Sequence, residues 1–277
     1  MRKKQYFKSL GKTESKLLTV LSSRDKNIFT VEDAQKVLGS SIVAIRSLLN
    51  YLVAKKWLIR LTPGKYLIVP LSAGEGAEHS ENWYVIAKNL IEPLPYYISY
   101  YSALEIHEMT IQPIFTVYIS TPNRRRPKEV LGATYQFVYT QPKDMEWGLE
   151  DVWITPSRKV RASDLERTII DCLDRPDLCG GISEIAKGIW AKRSDIDYQK
   201  LIHYAKLLNR KSVAKRLGFI LETYGLGGQE VLSDIKGLLS SSYALLDPTL
   251  EETGRFLSSW KIRVNIDAEE LINITKT

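Results

Sequence analysis

The residues with the clearest capacity to recognise a partner are polar side chains on a helix predicted over residues 41–56. Arg46 and Asn50 lie four positions apart, so they share one face of that helix. An arginine guanidinium matches the acceptor pair of guanine, and an asparagine amide matches adenine. This spacing predicts contacts with base edges in the major groove of DNA.

Other residues around this helix complete a predicted contact surface. The short side chains of Ser41 and Ser47 would let the helix approach the groove closely, and Lys55 lies on the same outer face. Arg60 and Lys65, on a predicted hairpin that follows, would meet phosphates or the minor groove. The predicted DNA-binding set is Ser41, Arg46, Ser47, Asn50, Lys55, Arg60 and Lys65.

The sequence before this helix predicts a second, shorter helix. Thr30 and Asp33 form a variant of the capping box at its start. Gly39 ends the helix with a tight turn. Two short helices joined by a glycine turn are typical of a helix-turn-helix.

The sequence after the helix predicts a β-hairpin. Residues 57–61 and 66–69 are rich in β-branched and aromatic side chains, which favour strands. Pro63 and Gly64 between them suit a type II turn, because proline presets φ and glycine accepts a positive φ. A hairpin in this position is the wing of a winged helix.

Positive charge is concentrated in the N-terminal segment. Residues 1–70 contain 14 Lys or Arg against 4 Asp or Glu, a net charge of +10. The remaining residues contain 25 Lys or Arg against 28 Asp or Glu, a net charge of −3. A basic module beside a near-neutral body is typical of a nucleic-acid-binding protein. Two alternatives stay open here: a basic arm that only improves solubility, and a winged helix that binds protein rather than DNA.

The length of 277 residues is enough for about two domains. The pattern of elements predicts an α+β fold with a late strand at Trp260–Ile266, which is expected to return to the sheet of the body. The predicted segments are a winged helix-turn-helix (1–70), a Gly-rich linker (71–80) and a body (81–277), which is mixed α/β over 81–162 and mainly helical over 163–277.

The sequence contains no recognisable catalytic or metal-binding constellation. The three histidines are far apart, and Cys172 and Cys179 lack the spacing of a zinc site. The glycine motifs that bind phosphates and the GxSxG nucleophile motif are missing. We therefore predict a non-enzymatic protein without a metal or cofactor, in which Cys172 is a buried core residue.

The expected location of the protein is the cytoplasm. No stretch approaches the ~20 apolar residues that span a bilayer, and the basic N-terminus lacks the apolar segment of a signal peptide. With two cysteines in the chain, a disulfide framework is not expected. These features predict no membrane partner.

A second basic cluster lies in the body. Arg124, Arg125 and Arg126 follow a predicted strand, in a loop bounded by prolines. The cluster has two interpretations: a second contact with nucleic acid, or a solvated loop that balances acidic residues of the body. A further hypothesis is an enzyme acting on nucleic acid, which would combine this loop with acidic residues such as Asp171.

The order of these features resembles the AbiEi-type antitoxins, the repressor halves of abortive-infection toxin–antitoxin pairs in bacteria and archaea. The resemblance covers nearly the whole chain. It includes the Pro63–Tyr66 wing, the segment Ser102–His107 and the late strand Trp260–Asn265. Its most specific element is similar to a family motif whose residues here are Ser163, Glu166, Arg167, Asp171, Gly180 and Gly181.

The resemblance implies a repressor that binds inverted repeats in its own promoter and autoregulates a toxin–antitoxin operon. It also implies a neighbouring toxin similar to nucleotidyltransferases, which the body counteracts. The alternative is an antitoxin that binds its toxin directly, with DNA binding secondary. We interpret the motif residues as structural, with Ser163 and Glu166 forming a capping box that starts a helix.

Overall fold

The computed structural model of the protein describes residues 10–69, 81–266, 271 and 273. Two compact units are present: Met1–Glu92 with Glu129–Ala133, and Pro93–Lys128 with Thr134–Thr277. The predicted linker, residues 71–80, lies outside the described residues. Because the first unit continues to Glu92, it includes a helix beyond the predicted DNA-binding module.

The first unit has the element order of a winged helix-turn-helix. Its elements are α1 (Lys12–Ser23), β1 (Ile28–Thr30), α2 (Val31–Leu38), α3 (Ile42–Ala54), β2 (Leu58–Thr62), β3 (Lys65–Ile68) and α4 (Trp83–Ile91). The strands form an antiparallel sheet in the order β1-β3-β2. The chain turns by 109° between α2 and α3, as expected for a helix-turn-helix.

The ends of α2 and α3 follow local signals in the sequence. The Thr30 hydroxyl accepts a hydrogen bond from the backbone N–H of Asp33, and the Asp33 carboxylate accepts one from the backbone N–H of Thr30. Gly39 ends α2 at a φ of +68°, a conformation that favours glycine. Ser41 caps α3 by accepting from the Ala44 N–H. The predicted capping box and glycine turn are therefore confirmed.

The core of this module is built by one stripe on each helix and by the sheet. On α3, Ile45, Leu49 and Leu52 are buried. The helical period that places Ile45, Leu49 and Leu52 inside also predicts Ile42 on the core face, but this prediction is wrong, because Ile42 is 37% exposed. Ile42 is the first residue of α3, and the buried stripe starts one turn later. The other buried members of this core are Leu17, Leu18, Leu21, Phe29, Val31, Ala34, Trp57, Leu58, Tyr66 and Ile68.

The rest of the described chain is a mixed α/β part followed by a mainly helical part. The first part contains β4 (Tyr97–Ile98), α5 (Tyr100–Ile106), β5 (Thr116–Thr121), β6 (Lys128–Val130), β7 (Ala133–Tyr139), β8 (Leu149–Thr155) and β9 (Arg158–Ser163). The second contains α6 (Leu165–Asp174), α7 (Ile182–Ala191), α8 (Tyr198–Leu208), α9 (Lys211–Tyr224), α10 (Gly228–Lys236), β10 (Ala244–Leu245), β11 (Arg255–Leu257) and β12 (Ile262–Val264).

The main sheet of the second unit is mixed. Five of its strands follow the order β7-β5-β4-β9-β8. The pairs β5–β7 and β4–β9 are parallel, whereas β4–β5 and β8–β9 are antiparallel. Helix α6 packs against α5, α7, α8 and α9, and nearly all of its residues are buried. It is the central helix of the unit.

The late strand is present, but it does not return to the main sheet as expected. β12 lies between β10 and β11 in a separate three-stranded sheet. Ile262 pairs with Ala244 on one side and with Leu257 on the other. Both edges of β12 are therefore occupied.

No single helix of the described residues is long and apolar enough to cross a membrane. Helices α2 and α3 together reach the required length and composition, but the chain bends by 109° between them.

Candidate nucleic-acid interface

A concave surface opens between α2, α3 and the hairpin of β2 and β3. Its volume is about 330 Å³, and we call it the α3–wing cavity. It is lined by Val31, Glu32, Arg46, Asn50, Arg60, Pro63, Gly64 and Tyr66. Three residues of the predicted DNA-binding set, Arg46, Asn50 and Arg60, therefore face one space.

Helix periodicity directs the polar residues of α3 away from the core. Because Ile45 and Leu49 are buried, Arg46 and Asn50 fall on the exposed side, one turn apart. The first turn of α3 contains no acidic residue, so the partial positive charge of the helix N-terminus is not offset there. This face can present hydrogen-bond donors to an anionic, base-bearing partner.

Val43 lies on the same face of α3 and is 71% exposed. It is three positions before Arg46, which places the two side chains next to each other. An apolar side chain in this position suits contact with a thymine methyl group. Sequence reasoning left Val43 unassigned, although its spacing from the buried stripe places it on the outer face.

Arg60 enters the cavity from β2. It lies opposite Tyr66 of β3, and its guanidinium carbon is 5.8 Å from the centre of the Tyr66 ring. Tyr66 is buried and stacks on Phe29, with ring centroids 6.0 Å apart. The cation–π contact restrains Arg60 on a rigid base and leaves its charge available, because the residue is exposed.

Glu32 is an acidic residue in the lining of this basic cavity. A hydrogen bond from its own backbone N–H lowers the pKa of Glu32, and a hydrogen bond from the Thr30 hydroxyl and the charge of Arg46 add to that effect. Glu32 therefore stays an acceptor-only carboxylate beside two guanidinium groups. Sequence reasoning counted this charge but did not assign it to the contact surface. The available signal was its position in the first turn of α2, two residues after the capping Thr30.

The structure does not bring Ser41, Ser47 and Lys55 into the cavity lining, although all three are exposed along α3. The Ser41 hydroxyl is engaged as the helix cap. The Lys55 ammonium lies 5.8 Å from the centre of the Tyr51 ring. These residues flank the cavity along the same helix.

Lys65, at the tip of the wing, is held by α4. Its ammonium nitrogen donates a hydrogen bond to the backbone oxygen of Asn89 at 3.0 Å. The wing is also tied to α2, because the backbone oxygen of Gly64 accepts from the N–H of Val31 at 3.1 Å. Gly64 has a φ of +78°, as the predicted type II turn requires. The hairpin is therefore fixed at two points.

Residues 16–69 match the family model described as transcriptional regulator, AbiEi antitoxin. The family resemblance predicted from the sequence is confirmed for residues 16–69. The match begins within α1 and ends just after β3, so this AbiEi-type module contains every residue that lines the cavity.

The fold of the chain is similar to that of a solved protein, the RV2827C protein from Mycobacterium tuberculosis. The TM-score is 0.71 at 12% sequence identity, and the similarity covers 98% of this chain and 97% of that chain. The predicted fold class is confirmed: α+β, with an AbiEi-type N-terminal module, a mixed α/β body and a helical C-terminal part. No curated protein sequence matches the chain.

Arg167 and Asp171, two residues of the motif singled out in the sequence, form a buried ion pair that contacts Tyr97 of β4. Arg167 Nε lies 2.7 Å from Asp171 Oδ1, and the two residues are 1% and 4% exposed. The Tyr97 hydroxyl donates to Asp171 Oδ2 at 2.9 Å. The Arg167 guanidinium carbon is 3.4 Å from the centre of the Trp147 ring. Burial first, and then the charge of Asp171, raise the pKa of Tyr97, which keeps its hydroxyl a donor.

The predicted capping box of Ser163 and Glu166 is wrong. Ser163 is the last residue of β9, and Asp164 caps α6 by accepting from the N–H of Arg167. The Glu166 carboxylate instead accepts a hydrogen bond from the Asp197 N–H at 2.9 Å and forms an ion pair with Lys200 at 2.8 Å. Asp164 is the capping residue because Ser163 still belongs to strand β9.

Gly180 and Gly181 form the turn before α7, with φ values of +75° and +86°. The Asp247 carboxylate accepts from the N–H of Ile182, the first residue of α7, at 2.7 Å. A Cβ atom on Gly181 would lie 2.8 Å from that carboxylate oxygen. The Gly-Gly motif therefore leaves room for a remote carboxylate to cap the helix.

The described residues contain no group of three or more His, Cys, Asp or Glu arranged to hold a metal ion. Cys172 and Cys179 are both buried with free thiols. Burial, and then a hydrogen bond with Cys179, raise the pKa of the Cys172 thiol, which disfavours the reactive thiolate. The expectation that Cys172 is a core residue agrees with its full burial.

Proposed function

We propose that this protein binds double-stranded DNA through the α3–wing cavity and represses transcription from its own promoter. The observation that carries the proposal is the convergence of Arg46, Asn50 and Arg60 on one concave surface of an AbiEi-type module. In this proposal α3 enters the major groove, where Arg46 reads guanine and Asn50 reads adenine. Arg60 contacts a phosphate from the wing.

The remaining residues of the predicted set have supporting roles in this proposal. Ser41 and Ser47 allow close approach of α3, and Lys55 neutralises a phosphate near the end of the helix. Lys65 orients the wing through α4 rather than contacting DNA with a free charge. The high positive charge of residues 1–70 supports attraction to the backbone of DNA.

The family match supports a regulatory role rather than an enzymatic one. We propose that the operator consists of inverted repeats and that the protein autoregulates a toxin–antitoxin operon. In this proposal the body, residues 81–277, counteracts a nucleotidyltransferase-like toxin encoded beside it. Growth rescue on coexpression with that toxin tests the antitoxin role separately from DNA binding.

A gel-shift titration of the full chain tests the DNA-binding proposal. The probes are the DNA upstream of the gene and a scrambled duplex of equal length, each at two salt concentrations. Arg46→Ala and Asn50→Ala are expected to weaken promoter binding by about 1–3 kcal/mol each. Arg24→Ala removes an exposed arginine of α1's C-terminal end, outside the cavity, and is the matched control.

Two results would contradict the proposal. One is equal affinity for promoter and scrambled DNA, which removes the basis for repression. The other is an equal loss in Arg46→Ala and Arg24→Ala, which assigns the effect to net charge. If the promoter is not preferred and the toxin co-purifies with the chain, the direct toxin-binding alternative replaces the repressor.

A further inference from the structure

A loop in the second unit displays three consecutive arginines. It runs from Pro122 to Pro127, between β5 and β6, and Arg124, Arg125 and Arg126 are exposed. We call this segment the arginine loop. It lies outside the AbiEi-type module, and the DNA-binding proposal does not use it.

The start of the arginine loop is fixed to the sheet. The Thr121 hydroxyl donates to the backbone oxygen of Pro95 at 2.9 Å and accepts from the N–H of Asn123 at 3.4 Å. Two prolines further restrict the backbone of the loop. A constrained loop loses little conformational entropy when it binds, so its charges are suited to a specific contact.

The arginine loop packs beside aromatic residues of β7. The guanidinium carbon of Arg124 is 5.1 Å from the centre of the Tyr139 ring, and that of Arg125 is 5.2 Å from the centre of the Phe137 ring. Tyr139 and Phe137 are two positions apart, so they share one face of the strand. Phe137 is buried, but Tyr139 is 48% exposed and presents aromatic surface to solvent.

Like charges gather at this site. Partial burial, and then the charge of Arg125, lower the pKa of Lys128, which follows the loop. The chain after residue 70 carries a net charge of −3, so the cluster is not part of a generally basic surface. Closely spaced cations beside an exposed aromatic ring match a polyanion with unpaired bases.

We propose that the arginine loop and Tyr139 form a second nucleic-acid site, specific for single strands. Arg124 and Arg126 contact successive phosphates, and Tyr139 stacks on an unpaired base. In a duplex the bases are stacked on one another and their faces are unavailable to Tyr139. Single-strand-binding proteins combine the same two elements, a basic track and aromatic platforms. An acidic peptide would satisfy the arginines but would leave the aromatic ring unused.

Fluorescence anisotropy with the full chain tests this site. The probes are fluorescein-labelled oligo(rA) and oligo(dA) of about 12 nucleotides, which separate RNA from DNA as the ligand. Excess unlabelled duplex is present throughout, so that the α3–wing cavity is occupied. This design makes the result independent of the promoter-binding experiment.

The variants separate charge from stacking. The double variant Arg124→Ala, Arg126→Ala should lose about tenfold or more in affinity. The slope of its log K against log salt should become shallower by about 1.4, because two phosphate contacts are lost. Tyr139→Ala should lose about tenfold, whereas Tyr139→Phe, which keeps the ring, should stay within about twofold. If the alanine variants fail to fold, Arg124→Lys with Arg126→Lys keeps the charge and should retain the salt dependence but lose affinity.

The matched control is Arg193→Ala. Arg193 is an exposed arginine of the same unit, 4.2 Å from the centre of the Trp190 ring, so it has the same chemistry in another place. The Arg193→Ala variant should bind both oligonucleotides as tightly as the unchanged protein does. Absence of oligonucleotide binding, an equal loss in Arg193→Ala, or an unchanged affinity in Tyr139→Ala would overturn the proposal. Competition by poly-glutamate as effective as that by unlabelled oligonucleotide would also overturn it, in favour of an acidic protein partner.

Discussion

The ammonium nitrogen of Lys65 lies 3.0 Å from the backbone oxygen of Asn89, so the tip of the wing is bonded to α4. Arg60, on the neighbouring strand of the same hairpin, faces the α3–wing cavity instead. The two basic residues of the wing therefore have different surroundings. Lys65 donates a hydrogen bond to a backbone carbonyl, whereas Arg60 presents its charge to the space that DNA is proposed to fill.

This difference predicts separate salt dependences for two single variants. Arg60→Ala should reduce the slope of log K against log salt by about 0.9, the value for one lost phosphate contact in duplex DNA. Lys65→Ala should leave the slope nearly unchanged, although it can weaken binding by loosening the wing. Titrations of random duplex at several salt concentrations measure both slopes, with Lys16→Ala, an exposed change on α1, as the control. A larger slope change in Lys65→Ala than in Arg60→Ala would contradict this assignment.

Glu32 predicts that the cavity selects among sequences by repulsion as well as by attraction. A carboxylate beside Arg46 and Arg60 opposes any phosphate and accepts a hydrogen bond only from a donor such as the cytosine amino group. Glu32→Gln removes a charge close to the proposed DNA path, so affinity for random duplex should rise by up to about fivefold. The ratio of promoter to random affinity should fall.

The matched control for this prediction is Glu14→Gln. Glu14 lies on α1 and does not line the cavity, but its substitution changes the net charge equally. Gel-shift titrations on promoter and random duplex give the two ratios. The same change in both variants would mean that Glu32 acts only through net charge.

The elements predicted best are those whose local pattern is complete. Alternation of apolar and polar residues predicts a strand over Ala133–Tyr139, and the sequence also predicts a helix near Tyr198–Leu208. The observed bounds of β7 and α8 agree with both predictions. The capping box at Thr30 and the turn at Gly39 are also local, because they depend on side chains within a few positions of one another. Such signals are present in the sequence before any tertiary contact forms.

The elements missed depend on distant partners or on ambiguous residues. β1 has three residues, and its strand conformation comes from pairing with β3 near Leu67. Helix α10 starts at Gly228, within a glycine cluster that predicts a loop. At the start of α6, Ser163 and Asp164 are both good caps, and only the pairing of β9 decides between them.

The candidate interface shows the same division. Arg46 and Asn50 follow from the helical period of α3. The approach of Arg60 to them depends on the register of the hairpin, and the hydrogen bond of Lys65 joins residues 24 positions apart. Sequence reasoning therefore selected suitable residue types, but it did not separate the residues that face the cavity from those that support it.

Gly181 predicts a large cost for the smallest possible side chain. Its backbone, at φ +86° and ψ 177°, is in a region that is nearly restricted to glycine, and a Cβ would press on the carboxylate of Asp247. Gly181→Ala should therefore lose about 3 kcal/mol or more of unfolding free energy. Gly225→Ala is the control, because Gly225 is left-handed at φ +65° but has nothing within 4 Å of the added carbon. It should lose about 1 kcal/mol.

Urea titrations followed by tryptophan fluorescence measure both glycine variants. The difference between the two losses of unfolding free energy reports the contact with Asp247 and the more strained backbone conformation at Gly181. If the two losses are equal, the remote cap of α7 does not constrain this turn.

The pair of Arg167 and Asp171 predicts strong coupling in the second unit. Arg167→Met leaves the Asp171 carboxylate buried without its cation, which should cost about 3–5 kcal/mol of unfolding free energy. The same substitution at Arg175, in an exposed pair with Asp177 at 2.6 Å, should cost less than about 1 kcal/mol. The double variant Arg167→Met, Asp171→Leu should be more stable than Arg167→Met, because it removes the unpaired charge. Urea unfolding of all four proteins closes this comparison. A double variant less stable than Arg167→Met would show that the motif residues stabilise the fold through their packing against Tyr97 and Trp147 rather than through charge.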